Sequence, residues 1–159
     1  MKRLFLWAAS ACLVLTATAA SAQTAGVAAD QILIGTFGPI SGPVAFLGLA
    51  GRDSAALAFK EINAAGGVNG RKIQMQFEDD AHSPVRALAS VKKLVEQDKV
   101  FMLMSVGGSN ATGGTIGYVK ERGTPMYVSV ASAPEVTFPF ARTLFRGATN
   151  ETARFGEVY

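Results

Sequence analysis

The residues Val100–Thr112, VFMLMSVGGSNAT, constrain the fold more than any other stretch of the chain. Val100 to Met104 are apolar without a break and run into a polar, glycine-rich turn. A short unbroken apolar run bounded by turn residues fits a strand buried on both faces. Gly107 and Gly108 let the backbone turn tightly and let a ligand approach it closely. Ser109 follows at the place of a helix N-cap, ahead of a helical segment reaching about Arg122. A strand that enters a helix through Gly-Gly-Ser presents free backbone N–H groups. With the serine hydroxyl and the helix dipole, these donors make an anion site. The plain alternative is that Ser109 only caps its helix.

A second continuous apolar strand is expected at Gln31–Phe37, QILIGTF. It leads into Gly38–Gly48, GPISGPVAFLG, whose prolines and glycines predict a shaped loop. From about Leu49 to Ala65 the pattern is helical, with Ala55, Phe59 and Ile62 on one face. Gly66-Gly67 stops that helix, and Asn69-Gly70 turns the chain into the next strand. In Arg71–Glu78, Ile73, Met75 and Phe77 alternate with Lys72, Gln74 and Gln76, which suits an edge strand with one wet face. Asp79, Asp80 and His82 follow. No further histidine is available, so a solvated loop fits better than a metal site, with Ser83 as cap and Pro84 at the first helical position.

The helix from Pro84 to about Gln97 carries Val85, Leu88, Val91 and Val95 at helical spacing. After the Val100 strand, Gly113, Gly114 and Gly117 weaken the next helix by about 1 kcal/mol each. Close packing, or a need for backbone approach near the helix start, has to compensate. Pro125–Val130 reads as another strand, and Ser132 with Glu135 has the spacing of a capping box. A final strand is expected near Thr143–Arg146.

Strand and helix therefore alternate, which defines an α/β chain with a parallel, doubly wound sheet and right-handed crossovers. With the alternating strand at the edge, the order is 2-1-3-4-5, and ligands in such sheets bind outside the strand C-termini where the order reverses. The loops that meet there are Gly38–Gly48, Val106–Asn110 and Val130–Ser132. The loop holding His82 is not among them. No G-x-x-x-x-G-K-[ST], no G-x-G-x-x-G after the first strand and no G-x-S-x-G occurs. Hydroxyls and N–H donors without a base point to binding rather than catalysis, with no cofactor and no metal. The chain has room for one domain of ordinary size. Its formal charge of +3 includes Lys2 and Arg3; without them it is 3 − 2 = +1, with no basic cluster, which argues against a nucleic-acid surface.

The first 22 residues have the pattern of a secretory signal peptide. Lys2 and Arg3 form its positive start, Leu4 to about Ala17 its apolar stretch, and Ala20-Ser21-Ala22 its cleavage site. Cys12 is the only cysteine and is removed with it, which leaves no disulfide or cysteine nucleophile in the mature chain.

Several pieces together carry a family likeness: ILIGTFGPISGPVAFLG, EINAAGGVNGRKI, FEDDAHSPVRA, KLVEQDKVFM, and VASAPEVT leading to FRG. The run from Gln31 to Arg146 resembles the first lobe of type I periplasmic binding proteins of the leucine/isoleucine/valine-binding type. These are the substrate-binding components of ABC importers. The resemblance implies two lobes closing over a small ligand, a periplasmic location and a membrane permease as partner. It implies that Ser109 grips a ligand carboxylate through its hydroxyl and N–H, that Val130, Ala131 and Ser132 supply backbone groups and a second hydroxyl, and that Leu47 lines the pocket. Leu47 stands where amino-acid-binding members often carry tyrosine, and Val130 where alanine or serine is usual. Both changes make the wall more apolar, which leaves an amino acid, an amide, or an aromatic or aliphatic carboxylate as the ligand. The implied division is a signal peptide at 1–22, an N-terminal ligand-binding lobe at 23–148 and the start of a crossover at 149–159, with the second lobe cut away. A ligand-sensing domain of a receptor or regulator is the alternative use of the same fold, and an α/β enzyme lacks its base and cofactor motifs.

The cleavage pattern predicts a mature N-terminus at Gln23. N-terminal sequencing or intact mass of the exported protein checks it; a membrane-bound chain that keeps Met1 would contradict it.

Overall fold

The structure, a computed structural model, describes residues 24–147. The expected signal peptide, the expected mature start at Gln23 and the expected crossover at 149–159 lie outside the described residues. In chain order the elements are β1 (Gln31–Gly38), α1 (Ala45–Ala64), β2 (Lys72–Asp79), α2 (Pro84–Lys92, continued as a π-helical stretch Lys93–Gln97), β3 (Met102–Ser105), α3 (Ser109–Arg122), β4 (Met126–Val128), a 3₁₀ turn at Pro134–Val136 and β5 (Leu144–Arg146). The strands form one parallel sheet in the order β2-β1-β3-β4-β5. This is the doubly wound α/β sheet expected from the sequence, with the alternating strand at its edge.

Register fixes which residues share a face. Ile34 pairs with Met75 on one side and Met102 on the other, and Thr36 with Phe77 and Met104. Met104 pairs with Tyr127, and Tyr127 with Phe145. These residues point to the α1 side. The opposite side carries Phe37, Leu103, Met126 and Val128, fully buried in one cluster with Ala87, Val91 and Leu94 of α2 and with Ala111, Ile116 and Val119 of α3. The cluster also takes in Ala131, Ala133 and Val136, so the connection after β4 is part of the core. Full burial of each such side chain is worth about 1.5–3 kcal/mol.

The helices depart from expectation in three places. In α2 the buried stripe is Ala87, Val91 and Leu94, while Val85 is 77% exposed. Val85 lies roughly 160° round the helix from Ala87, so it cannot join that stripe. In α3 close packing accounts for one glycine only. A Cβ on Gly114 would lie 2.6 Å from the Cβ of Pro84, whereas one on Gly113 or Gly117 would meet nothing within 4 Å. The third departure is α1, which starts at Ala45 instead of near Leu49 and takes Leu47 and Gly48 out of the expected loop. Gly48 makes this possible. It is the one buried residue of α1, and a Cβ there would sit 1.9 Å from the carbonyl oxygen of Pro39.

Gly48→Ala therefore sets helix propensity against packing. Alanine gains about 1 kcal/mol within a helix, but overpacking against backbone costs about 1–3 kcal/mol or more. Thermal unfolding of the variant should show a melting temperature lower by several degrees. A melting temperature equal to or above that of the parent chain would refute the close approach.

Candidate ligand-binding site

The site is built where β1, β3 and β4 end. β3 closes at Ser105, and the chain passes through Val106, Gly107 and Gly108 into α3. Gly108, not Ser109, is the N-cap, with extended backbone (φ −77°, ψ 174°), and its carbonyl accepts the Thr112 N–H at 3.1 Å. No side chain caps this helix. The expectation that Ser109 occupies the N-cap is corrected: it is the first helical residue, and its hydroxyl is not spent on its own helix. Ser109 Oγ instead accepts the backbone N–H of Ser132 at 3.1 Å and lies 3.5 Å from Ser132 Oγ. A hydroxyl that accepts through one lone pair keeps its own proton to donate. Around it, the first N–H groups of α3 have no partner within the helix, and the helix dipole adds positive potential.

The capping box expected from Ser132 and Glu135 does not form. The 3₁₀ turn begins one residue later, with Ala133 as N-cap and no side-chain cap bond. The Ser132 amide is drawn to Ser109, and Pro134 starts the turn behind it.

Two buried polar links that sequence reasoning missed fix the first turn of α3. Ser105 Oγ and Thr112 Oγ1 lie 2.7 Å apart with both residues fully buried, and Thr115 Oγ1 donates to the Thr112 carbonyl at 2.8 Å. Ser129, just past β4, donates its N–H and its hydroxyl to the Ser105 carbonyl at 3.0 and 2.9 Å. Nothing in the sequence distinguishes Ser105 from a surface serine except its place at the end of an apolar run.

The corner after β2 also reaches this site, contrary to expectation. The Asp80 N–H donates to the Gly38 carbonyl at 3.3 Å, which carries the corner over the end of β1. The ring of His82 then abuts the turn after β3: a Cβ on Gly108 would lie 2.6 Å from His82 Cε1. Nor is this a solvated loop, because Asp80 has no exposed surface. Its Oδ1 accepts the His82 N–H at 2.7 Å, and its Oδ2 has no hydrogen-bond partner among the described residues. Burial pushes the Asp80 carboxyl above its ordinary pKa. Ser83 does cap α2, accepting the Arg86 N–H at 3.5 Å, with Pro84 following it.

Asp79 ties the β1–α1 loop to the same corner. Its carboxylate accepts the Ile40 N–H at 3.0 Å, the Ser41 hydroxyl at 2.6 Å and the Ala81 N–H at 2.9 Å, and it pairs with Arg86 at 3.1 Å. Partial burial raises its pKa, but these hydrogen bonds and the Arg86 charge more than offset that and hold it at about 2.

The expected site residues fall into two groups. Leu47, on the first turn of α1, and Val130, 49% exposed after β4, line an apolar groove of about 480 Å³ with Phe46, Gly51, Met104 and Val106. Ser109 and Ser132 form the hydrogen-bonded pair, and Ser109 also lines a second hollow of about 550 Å³ with Asn110, Gly113 and Glu135. Ala131 is buried in the core, so only its backbone is available between the two groups. Sequence reasoning also missed Arg146, whose guanidinium donates to the carbonyls of Ser132, at 3.2 Å, and Ala133.

The result is an open parallel α/β sheet with hydroxyls, helix-start amides and an apolar groove at its point of reversal. The sequence profile of the periplasmic binding protein family matches residues 31–158, and the chain belongs to that family. It is 38% identical over 120 residues to the leucine-, isoleucine-, valine-, threonine- and alanine-binding protein of Pseudomonas aeruginosa, covering 76% of this chain and 32% of that one. It is 33% identical over 109 residues to the Leu/Ile/Val-binding protein of Escherichia coli, covering 69% and 29% respectively. Among solved structures it resembles the branched-chain amino acid transporter substrate binding protein of Streptococcus pneumoniae in complex with isoleucine, with a TM-score of 0.72, 29% identity, and coverage of 77% of this chain and 35% of that one. The chain thus spans about a third of the length of the curated relatives it matches.

The Asp79 bonds carry a pH-dependent prediction. A carboxyl whose folded pKa lies below its ordinary 3.8 stabilises the fold above that value and loses the contribution as pH falls toward about 2. Discounted for partial exposure, the term is about 1–2 kcal/mol. Asp79→Ala should lower the melting temperature at pH 7 by several degrees, and the gap to the parent should close as pH falls to about 2. A gap that is absent at pH 7 or constant with pH contradicts this assignment.

Proposed function

We propose that this chain is one lobe of an extracytoplasmic substrate-binding protein of an ABC importer, with Ser109, Val130, Ala131, Ser132 and Leu47 as ligand contacts. The observation that carries this reading is the Ser109–Ser132 pair, a hydroxyl bonded to an amide at a helix start and at the point where the sheet order reverses. That pair offers donors to an anionic head, and the groove lined by Leu47 and Val130 offers an apolar wall to its side chain. The ligand of this reading is a small carboxylate with an apolar side chain. The names of the relatives, which specify leucine, isoleucine and valine and in one case also threonine and alanine, support an amino acid as the ligand. A second lobe closes the cleft, a membrane permease receives the ligand, and residues 1–22 direct export and are removed. The same donors without a base support binding, not catalysis.

Calorimetry with L-isoleucine tests the reading. Residues 23–159 alone supply one wall of the cleft and should bind no tighter than about millimolar, since the partner groups are not preorganised. A micromolar affinity in this chain would overturn the two-lobe reading. In a polypeptide that carries both lobes, Ser109→Ala or Ser132→Ala should each weaken binding roughly ten- to a hundredfold, the worth of a charge-assisted hydrogen bond. The two losses should fall short of additive, because both groups hold one ligand head. Affinities within twofold of the parent at both positions would remove these serines from the site.

A further inference from the structure

Arg146 ends β5, the outer strand of the sheet, where it pairs in register with Val128 of β4. Its guanidinium turns back over the end of β4 and grips the connection that follows. One nitrogen donates to the Ser132 carbonyl at 3.2 Å and another to the Ala133 carbonyl. On the opposite side of the same peptide run, the Ser132 N–H donates to Ser109 Oγ. The run is therefore held from both sides: carbonyls to the arginine, amide to the serine. Ala131 and Ala133, which flank Ser132, are buried in the core and contribute no polar side chain.

Resting on the proposed reading of Ser109 and Ser132 as ligand contacts, we propose that Arg146 is a positioning residue for the binding site: it holds the Ser132–Ala133 peptide plane with its carbonyl turned away from Ser109 and the ligand, and anchors the run at the Ala133 carbonyl, whose peptide bond to Pro134 carries no N–H. Three points carry this. Peptide groups are polar, so turning a plane by half a turn would present a carbonyl to an anionic head and repel it. The core fixes where the run lies, but alanine methyl groups do not dictate the rotation of the planes between them. A planar guanidinium can satisfy two successive carbonyls at once, whereas an ammonium is a point donor on a flexible stem. The positive charge behind the run also favours an anion in front of it, through the peptides it polarises.

The test uses the isotopically labelled chain. Amide hydrogen exchange is read by NMR without ligand, and L-isoleucine is then titrated at millimolar concentrations. Arg146→Lys keeps the charge and loses the fork. It should speed exchange of the Ser132 amide by about tenfold or more while leaving Leu103 in β3 unchanged, and it should weaken the isoleucine-induced shifts at Ser109 and Ser132. Ser109→Ala, which removes the acceptor from the other side, should expose the same amide. If Arg146→Lys leaves Ser132 exchange within twofold, or raises exchange equally throughout the sheet, Arg146 is not a positioning residue. If a polypeptide that carries both lobes shows no binding of isoleucine, the ligand assignment of the proposed function fails; absent shifts in this chain alone are the weak binding expected of one lobe, and exchange at Ser132 still decides the role of Arg146.

Discussion

The pairing of Ile34–Phe37 with Met102–Ser105 is the contact on which the rest of the structure depends. These two strands are far apart in sequence, parallel, and central in the sheet. From β1 the chain first moves outward to β2, then returns across β1 to β3 and continues to β4 and β5. Connections leave β1 and β3 in opposite directions along the sheet, so a crevice opens between their C-terminal ends. Every group of the proposed site hangs from that divergence. Ser109 follows β3, Leu47 follows β1, and the Val130–Ser132 run follows β4, the next strand over. A change that disturbed the pairing of β1 with β3 would move all of them at once.

Holding polar groups at the end of a buried strand is costly unless each finds a partner. Here the partners are mostly short side chains. Ser105 and Thr112 satisfy each other inside the core, Ser129 covers the Ser105 carbonyl, and Asp79 gathers one amide and one hydroxyl of the β1–α1 loop. Asp80 is the counter-example, fully buried with one carboxylate oxygen lacking a protein partner among the described residues. Next to it, Ala81 and His82 both adopt positive φ, at 46° and 62°, without being glycine. Backbone of that kind costs about 1–3 kcal/mol per residue and persists only where its surroundings over-determine it. The over-determination is visible: the Asp79 carboxylate takes the Ala81 amide, the Asp80 carboxylate takes the His82 amide, and the His82 ring is wedged against Gly108.

The sheet order was legible because burial writes itself into side-chain pattern. An unbroken apolar run in β1 and β3 and strict alternation in β2 separate interior from edge with no other information. What the sequence concealed are contacts whose partners lie far along the chain. A glycine in a loop-like stretch looks like a helix breaker, so the start of α1 at Ala45 was hidden behind Gly48. The reason for Gly48, the Pro39 carbonyl, exists only once α1 has docked. An aspartate next to another aspartate looks solvated, because carboxylates are almost never fully buried, and Asp80 is one of the exceptions. The one-residue shift from Ser109 to Gly108 at the cap is within the usual ambiguity of helix ends, but it matters chemically, since it frees the Ser109 hydroxyl. Arg146 was visible only as part of the FRG motif, with no sign of what it holds. Its two acceptors are backbone carbonyls, and backbone carbonyls have no sequence.

The apolar groove between α1 and the ends of β3 and β4 is a consequence of handedness. Right-handed crossovers place a helix on one face when the chain steps one way along the sheet and on the other face when it steps back. The step from β1 to β2 puts α1 on one face. The steps to β3 and β4 go the other way, which puts α2 and α3 together on the opposite face. α1 is then the only helix on its side among the described residues, and it lies over β1 and β2. Exposure along the row that crosses that face follows directly. Thr36 on β1 is fully buried, Tyr127 on β4 is 37% exposed and Phe145 on β5 is 54% exposed. The boundary between covered and uncovered sheet falls at β3, where Met104 and Val106 line one groove with Phe46 and Leu47 of α1. Reversal of strand order therefore does two things at once. It parts the strand ends, which frees the amides and hydroxyls, and it ends the helical cover on one face, which leaves an apolar wall beside them.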